Sequence, residues 1–429
     1  MPKYVAPKGT HDILPAAKDW VDDIAKWHWL ESVVREITRT YGYEEIRTPA
    51  FEQTDLFHRA VGEGTDIVTK EMYDFETKPN IKGETDKFTL RPEGTAPTLR
   101  AYVEHRLDLS RPVNKLYYLA AIFRHEKSQK GRYRQHHQFG VEALGASGAE
   151  IDAEVIALAV AFFRRLGIPN LTLKINSVGT VASRARYVAA LREYAEPLLP
   201  EMSEDNRRRH ETNALRMLDS KSERDQALLA DAPLLTDFLD AESQSHHETL
   251  LGYLDDLGIV YESDPRLVRG FDYYVKTAFE VQSPDVGAQS ALAGGGRYDA
   301  LVESLGGQPT PGIGFGLGIE RTLIALQALN VKTPDAPGIA AFLCPIGDAA
   351  RGASVKLLET LRGAGIVCDA DYTGRRMKAM LDQADALHAR YAIVFGDDEL
   401  AGGVVNVRDM AAKTQATVAL DALTAFLGT

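Results

Sequence analysis

The chain has 429 residues, 45% of them hydrophobic and 26% charged. That predicts about three domains of ~150 residues with proper cores and excludes a disordered chain. Lys plus Arg number 49 against 61 Asp plus Glu, a formal charge of −12, which excludes a general nucleic-acid glue but permits a local basic patch, since exposed charges are screened beyond ~10 Å. Two cysteines, Cys344 and Cys368, with no C-x-x-C, are too few for a disulfide scaffold or a zinc ribbon and are expected as small buried thiols. The start, Met1-Pro2-Lys3-Tyr4-Val5, lacks a signal-peptide profile, and no apolar run approaches the ~18 residues of a membrane helix. A soluble cytoplasmic protein is expected.

In chain order, Trp20, Ile24, Trp27, Leu30, Val34, Ile37 and Tyr41 recur at steps of three or four, the spacing of an amphipathic helix that Gly42 ends. Leu116, Tyr118, Ala120 and Ile122 alternate, and so do Phe139, Val141 and Ala143. These predict two antiparallel strands joined by a long charged loop. Ile151–Leu166 reads as a helix closed by Gly167 and Pro169, and Leu171, Leu173 and Ile175 as a strand.

From 177 to 263 the chain is helical in pattern, charge-dense and poor in strand signals, with Arg207, Arg208, Arg209 and His210 in one run. It reads as a helical insertion within a strand-rich core formed by 1–176 and 264–329. Residues 330–337, with Pro334 and Pro337, read as a linker. Beyond it, in 338–429, apolar strands (339–344, 366–368, 391–395, 404–407) alternate with helical stretches, which predicts a small α/β domain with a parallel or mixed sheet. The fold class expected is therefore α/β and α+β multidomain.

Several chemistries are absent from the sequence. There is no Gly-Lys dipeptide and so no P-loop, and neither G-x-S-x-G nor H-E-x-x-H occurs. The adjacent pairs His136–His137 and His246–His247 point apart on a strand or helix and do not suit a metal, so no protein metal site is expected. The loop from Phe123 to Arg134 differs. Between 124 and 134 it holds five Lys/Arg against one acid, Glu126. A charge run is usually a solvated face, but here the cations lie between two strands, and Arg grips phosphate oxygens in a bidentate fork. Arg91-Pro92-Glu93-Gly94-Thr95, Leu267–Tyr274 around Arg269-Gly270, and Gly294–Asp299 are further segments where glycine permits close approach of a ligand. Gly312, Gly314, Gly316 and Gly318 alternate, leaving one face of a strand bare for a flat ring.

Taken together these segments resemble the class II aminoacyl-tRNA synthetases, and among them the histidyl-tRNA synthetase family. The resemblance runs from Lys8-Gly9-Thr10-His11-Asp12-Ile13-Leu14-Pro15 through the C-terminal domain. Gly42–Pro49 is similar to class motif 1, Phe123–Glu142 to motif 2, and Gly312–Leu323 to motif 3. Leu267–Tyr274 and Gly294–Asp299 are similar to two segments peculiar to the histidine enzymes. The fold implied is an antiparallel-sheet catalytic core with a helical insertion and a C-terminal α/β anticodon-binding domain. The activity implied is joining of L-histidine to tRNA(His) through histidyl-adenylate, with ATP, Mg²⁺ carried by the ATP, and a homodimer built on motif 1.

The resemblance also implies roles. Arg124 and Arg269 would be catalytic, holding the α-phosphate from two sides. Arg124, Glu126, Arg132, His136 and Arg321 would bind ATP. Glu93, Thr95 and Gln138 would take the substrate ammonium. Glu142 and Tyr274, with Tyr273 and Arg269 beside them, would take the rest of the histidine, Glu142 and Tyr274 meeting its two ring nitrogens. The sequence departs from the family's usual pattern at His136, where a Phe stacks on adenine, at Ser128, commonly Pro, and at Ala300, usually Gly. A synthetase-like regulatory subunit typically lacks the C-terminal domain and has degraded catalytic segments. The threonine, proline and glycine enzymes lack the Arg269–Tyr274 and Gly294–Asp299 segments.

Overall fold

The computed structural model describes residues 4–62, 65–79, 81–83, 85–127, 131–220, 222–268, 273–334 and 338–428. The chain forms two compact units, Met1–Thr333 and Pro334–Thr429. No helix among the described residues is long and apolar enough to cross a membrane.

The first unit is organised on an eight-stranded sheet. Its strands are β1 (Glu44–Glu45), β2 (Asn114–Phe123), β3 (Gln135–Leu144), β4 (Thr172–Ser177), β5 (Tyr261–Ser263), β6 (Val275–Gln282), β7 (Ala291–Arg297) and β8 (Gly312–Gly318), in the spatial order β1-β2-β3-β8-β7-β6-β4-β5. The inner pairs are antiparallel, and β1 on β2 and β5 on β4 run parallel at the two edges. Side chains alternate across such a sheet. Phe139, Val141 and Ala143 of β3 and Ile313, Phe315 and Leu317 of β8 belong to the main core, with Phe162 and Phe163 of the helix α2 (Ala149–Arg165) and Trp27, Leu30 and Val34 of α1 (Ile24–Thr40). The other set, Gln138, Gly140 and Glu142 with the four glycines of β8, faces away from that core.

The helix predicted from Trp20 begins later, at Ile24, where Asp23 caps the Ala25 N–H. The residues before it are pinned in a turn by hydrogen bonds between Leu14 and Asp22 and between Ile24 and Leu14. Trp20 still packs against the core, so its apolar spacing continues past the helix. Within 177–263 the chain is helical as far as Asp256. Its last helix, Ala241–Asp256, and Ile259 return to the main core, and Tyr261–Ser263 joins the sheet beside β4. A three-stranded sheet of Phe51–Gln53, Tyr73–Glu76 and Lys87–Leu90 had no clear sequence signal.

The second unit has a mixed sheet of β9 (Ala341–Pro345), β10 (Cys368–Ala370), β11 (Tyr391–Phe395), β12 (Val404–Asp409) and β13 (Gln415–Ala419), ordered β10-β9-β11-β12-β13. The first three strands are parallel and the last two pairings antiparallel. Leu343, Leu358 and Ile393 build the core on one face, and Phe342, Met380 and Ala384 the core on the other. Cys368 lies in the first and Cys344 in the second, both buried thiols. The sequence reading missed β13 because Val418 is its one buried residue.

Two polar nodes tie the first unit together. Arg297 and Asp152 are both fully buried. The Arg297 guanidinium also donates to Ala146 O at 3.1 Å and Gly148 O at 3.0 Å, and Asp152 also accepts from Thr277 and His246. The second node is Glu320, at the head of the helix α3 (Ile319–Ala328). It accepts the His137 N–H at 2.8 Å, and the His137 ring lies at 2.9 Å. His11 lies 3.9 Å from Glu320 and 2.7 Å from Asp22, and its ring stacks on Tyr133. Burial works against ionisation of Glu320, but the His11 and His137 side chains and the His137 N–H outweigh it and hold the carboxyl at about 2.

Asp152→Asn leaves the Arg297 charge buried without its main partner and should cost ~3–5 kcal/mol, read as a lower urea midpoint. Glu320 gives a pH-dependent expectation. Its folded-state value lies below the ordinary 4.5, so its contribution is present above that pH and is lost as pH falls toward 2. Glu320→Gln should therefore melt below wild type at neutral pH, and the gap should close on acidification below pH ~4.5. Melting temperature against pH checks it.

Candidate active site

A cavity of about 310 Å³ opens on the glycine-bearing face of the sheet, a size suited to small-molecule ligands. Its floor is β3 and β8. Glycine at β8 is required by close approach: a Cβ at Gly314 would lie 2.1 Å from the Glu142 carboxylate, and one at Gly316 would lie 2.1 Å from Gln138 Nε2. The bare face expected for a flat ring is thus largely taken by the protein's own Glu142, Gln138 and, at Gly312, Tyr298. Gly318 has no such close neighbour, with Arg321 Cβ nearest at 3.7 Å.

One end of the cavity is cationic. Arg124 donates from Nε to Pro92 O at 2.7 Å and lies 3.8 Å from Glu126. Arg132 lies 3.3 Å from Glu126 on the other side. Arg321 reaches Ala291 O at 3.1 Å, and burial, then the nearby Arg132 charge, pull its pKa below the usual arginine value. These cations come from a strand end, a loop and a helix start. His136 lines the same region, and burial followed by the Arg124 charge pushes its ring down to about 4. The ring is therefore neutral at pH 7 and free of a proton that would repel the arginines.

The other end is lined by hydroxyls and carboxyls. Glu93 accepts the Thr95 and Ala96 backbone N–H groups at 2.7 and 2.8 Å, so it caps the helix Thr95–Glu104 as well as facing the cavity. Burial raises it, and those N–H groups oppose the rise. Thr95 Oγ1 donates to Glu142 at 2.7 Å, and the Tyr298 hydroxyl donates to the other carboxylate oxygen. Gln138 Oε1 is buried without a hydrogen-bond partner among the described residues, an acceptor whose desolvation a ligand donor would offset. Tyr273 and Tyr274 pack with ring centroids 4.6 Å apart.

The structure thus brings together Arg124, Glu126, Arg132, His136, Arg321, Glu93, Thr95, Gln138, Glu142, Tyr273 and Tyr274. Arg269 lies outside the described residues, as does Ser128. Tyr118, Tyr133, Tyr298, Glu280 and Glu320 also line the cavity and were not singled out from sequence. Tyr298 sits inside the Gly294–Asp299 segment, noted for its glycines alone. Tyr118 gave a signal in strand alternation, but its place against Gly94 and Gly140 depends on chain 20 or more residues away.

Residues 9–322 match the family described as histidyl-tRNA synthetase, and residues 340–429 match the anticodon binding domain. A histidine–tRNA ligase of Bacillus subtilis (strain 168) is 47% identical over 422 residues, 97% of this chain and 97% of that one. One from Geobacillus sp. (strain WCH70) is 46% identical over 428 residues, 99% and 98% of the two chains. The crystal structure of apo S. aureus histidyl-tRNA synthetase superposes with a TM-score of 0.81 at 40% identity, covering 99% of this chain and 100% of that one. The chain belongs to the histidyl-tRNA synthetase family.

Proposed function

We propose that the chain activates L-histidine with ATP to histidyl-adenylate and pyrophosphate, then transfers the histidine to the 3′ end of tRNA(His). The observation that carries this reading is one cavity, in a chain of this family, lined by arginines at one end and by Glu142, Tyr274 and neighbouring hydroxyls at the other.

The chemistry needs no general base. The histidine carboxylate is ionised at pH 7, far above its pKa of ~2–4. It attacks the α-phosphorus and pyrophosphate leaves. The protein's part is positioning and charge neutralisation. In this reading Arg124 and Arg269 hold the α-phosphate, Arg132 the terminal phosphates, and Arg321 lies along the adenine and triphosphate. His136 stacks on the adenine. Glu93, Thr95 and Gln138 receive the ammonium, a role supported by the open acceptor on Gln138.

Mg²⁺ carried by the ATP would supply neutralisation of phosphate charge. Glu126 and Glu280 line the arginine end of the cavity and offer oxygen ligands of the kind this ion takes. The described residues hold no cluster of three or more His, Cys, Asp or Glu able to cage a metal. The second unit reads the anticodon, with Arg375, Arg376 and Lys378 as its cationic cluster. Residues 177–263 are the insertion and 330–337 the linker between the two functions. The enzyme works in the cytoplasm as a two-fold homodimer through Gly42–Pro49.

Amino-acid-dependent ATP–pyrophosphate exchange tests the reading. Histidine alone of the twenty amino acids should support exchange. Exchange with threonine or proline, or none with any, would overturn it. For the adenine contact, His136→Phe should keep or lower the KM for ATP, because a larger neutral ring replaces a smaller one. His136→Ala should weaken ATP by ~1–3 kcal/mol, the scale of one base–aromatic stack. Steady-state exchange at varied ATP measures both.

A further inference from the structure

Arg91 follows the strand Lys87–Leu90 and is 8% exposed. Its guanidinium joins two other segments of the chain. Nε donates to Ala121 O of β2 at 2.8 Å, and Nη1 meets Thr48 O at 2.8 Å, with Thr48 Oγ1 and Pro49 O each at 3.2 Å. The main chain of Arg91 ties the same two segments: its N–H donates to Ala50 O and its carbonyl accepts the Phe123 N–H, each at 3.0 Å. Arg124 hangs from this junction twice. Its backbone follows Phe123, and its Nε donates to Pro92 O at 2.7 Å. A planar peptide joins Arg91 to Pro92, whose ring locks φ, so the direction of the Pro92 carbonyl is set chiefly by where residue 91 is held. Glu93, one residue on, is held from the other side by the Thr95 and Ala96 N–H groups at the helix start.

We infer that Arg91 is a positioning residue for the activation step: its fork fixes the Pro92 carbonyl and, through it, the direction in which Arg124 presents its guanidinium to the α-phosphate. This rests on the proposed role of Arg124. A cation on a flexible side chain stabilises a rearranging phosphate best when its direction is set beforehand. The bond from Nε to Pro92 O sets that direction and leaves the Nη hydrogens of Arg124 for phosphate oxygens. Lysine at 91 would keep the charge but could not span Ala121 O and Thr48 O with one planar fork. The Pro92 carbonyl would then swing and Arg124 with it, while Glu93 keeps its anchors at the helix start.

The test is single-turnover adenylate formation by the full chain at saturating ATP and histidine, in a double-mutant cycle of Arg91→Lys and Arg124→Ala. Arg91→Lys should slow the step ~10- to 100-fold in the wild-type background, the scale of a misplaced catalytic group. With Arg124 already removed it should cost less than about 3-fold, because the two residues act as a unit. A structural residue would lower the melting temperature and cost the same factor in both backgrounds. Equal factors would therefore overturn the inference, and so would an unchanged rate in folded Arg91→Lys. Histidine affinity without ATP, read by calorimetry, should stay within about twofold of wild type, the scatter of independent sites. A fall in affinity as large as the fall in rate would show that the whole segment had moved, and would overturn the inference. Arg91→Gln takes the place of the lysine variant if that does not fold, and failure of both to fold would mark the residue as structural and overturn the inference. A wild-type chain that forms no adenylate would instead overturn the histidine reading itself.

Discussion

The site depends on close approach across one face of the sheet. Glu142, Gln138 and the Tyr298 ring occupy the space where β8 would otherwise carry side chains, and Tyr118 does the same against Gly94 and Gly140. The polar groups are therefore held by backbone on one side and by neighbouring rings on the other. Preorganisation of this kind needs no cofactor and no strained backbone. Glycine supplies the room, and the strand period of two keeps the four glycines of β8 on the same face. The opposite face supplies the stability, with Phe139, Phe315 and the helix bearing Phe162 packed beneath. The Arg297–Asp152 node braces the end of β7 against the helix Ala149–Arg165.

Charge is sorted along the cavity in the same way. Three arginines gather at one end, with Glu126 between two of them. The other end holds hydroxyls and two carboxyls. His136 lies in the cationic part and stays neutral because it is buried beside Arg124, so a residue that might have added repulsion offers instead a flat uncharged ring. The N-terminal segment takes part from behind: Gly9 O accepts the Arg134 N–H and His11 stacks on Tyr133, at the foot of the arginine-bearing loop.

Much of this was legible in the sequence where a local pattern and the tertiary need agree. The hairpin of β2 and β3 and the helix Ala149–Arg165 follow from periodicity, and the Arg-rich loop between the strands from composition. Motif resemblance identified most of the cavity lining. Features that depend on distant partners were not legible. Nothing near Tyr118 tells that its ring fills the Cβ space of Gly94 and Gly140. Arg297 lies in a segment read only as a close-approach loop, and its pairing with Asp152, far back in the chain, has no local signal. Glu93 reads as a ligand-binding acid, and the structure adds a second task, capping a helix. β13 and the three-stranded sheet escaped because their strands are short and largely exposed, so burial left no alternation to read.

The Tyr118 ring has a consequence for the range of amino acids such a pocket accepts. The ring stands where two Cβ atoms would be, in contact with one glycine ahead of a helix and another in the facing strand. Neither glycine can be enlarged while the tyrosine remains. Shortening residue 118 instead would open a void beside Glu93 and Glu142, with loss of the ring's packing on Gly94 and Gly140. The wall is thus adjustable from one position and locked from two others. On the proposed reading of the cavity, ring-substituted histidines would gain room through residue 118.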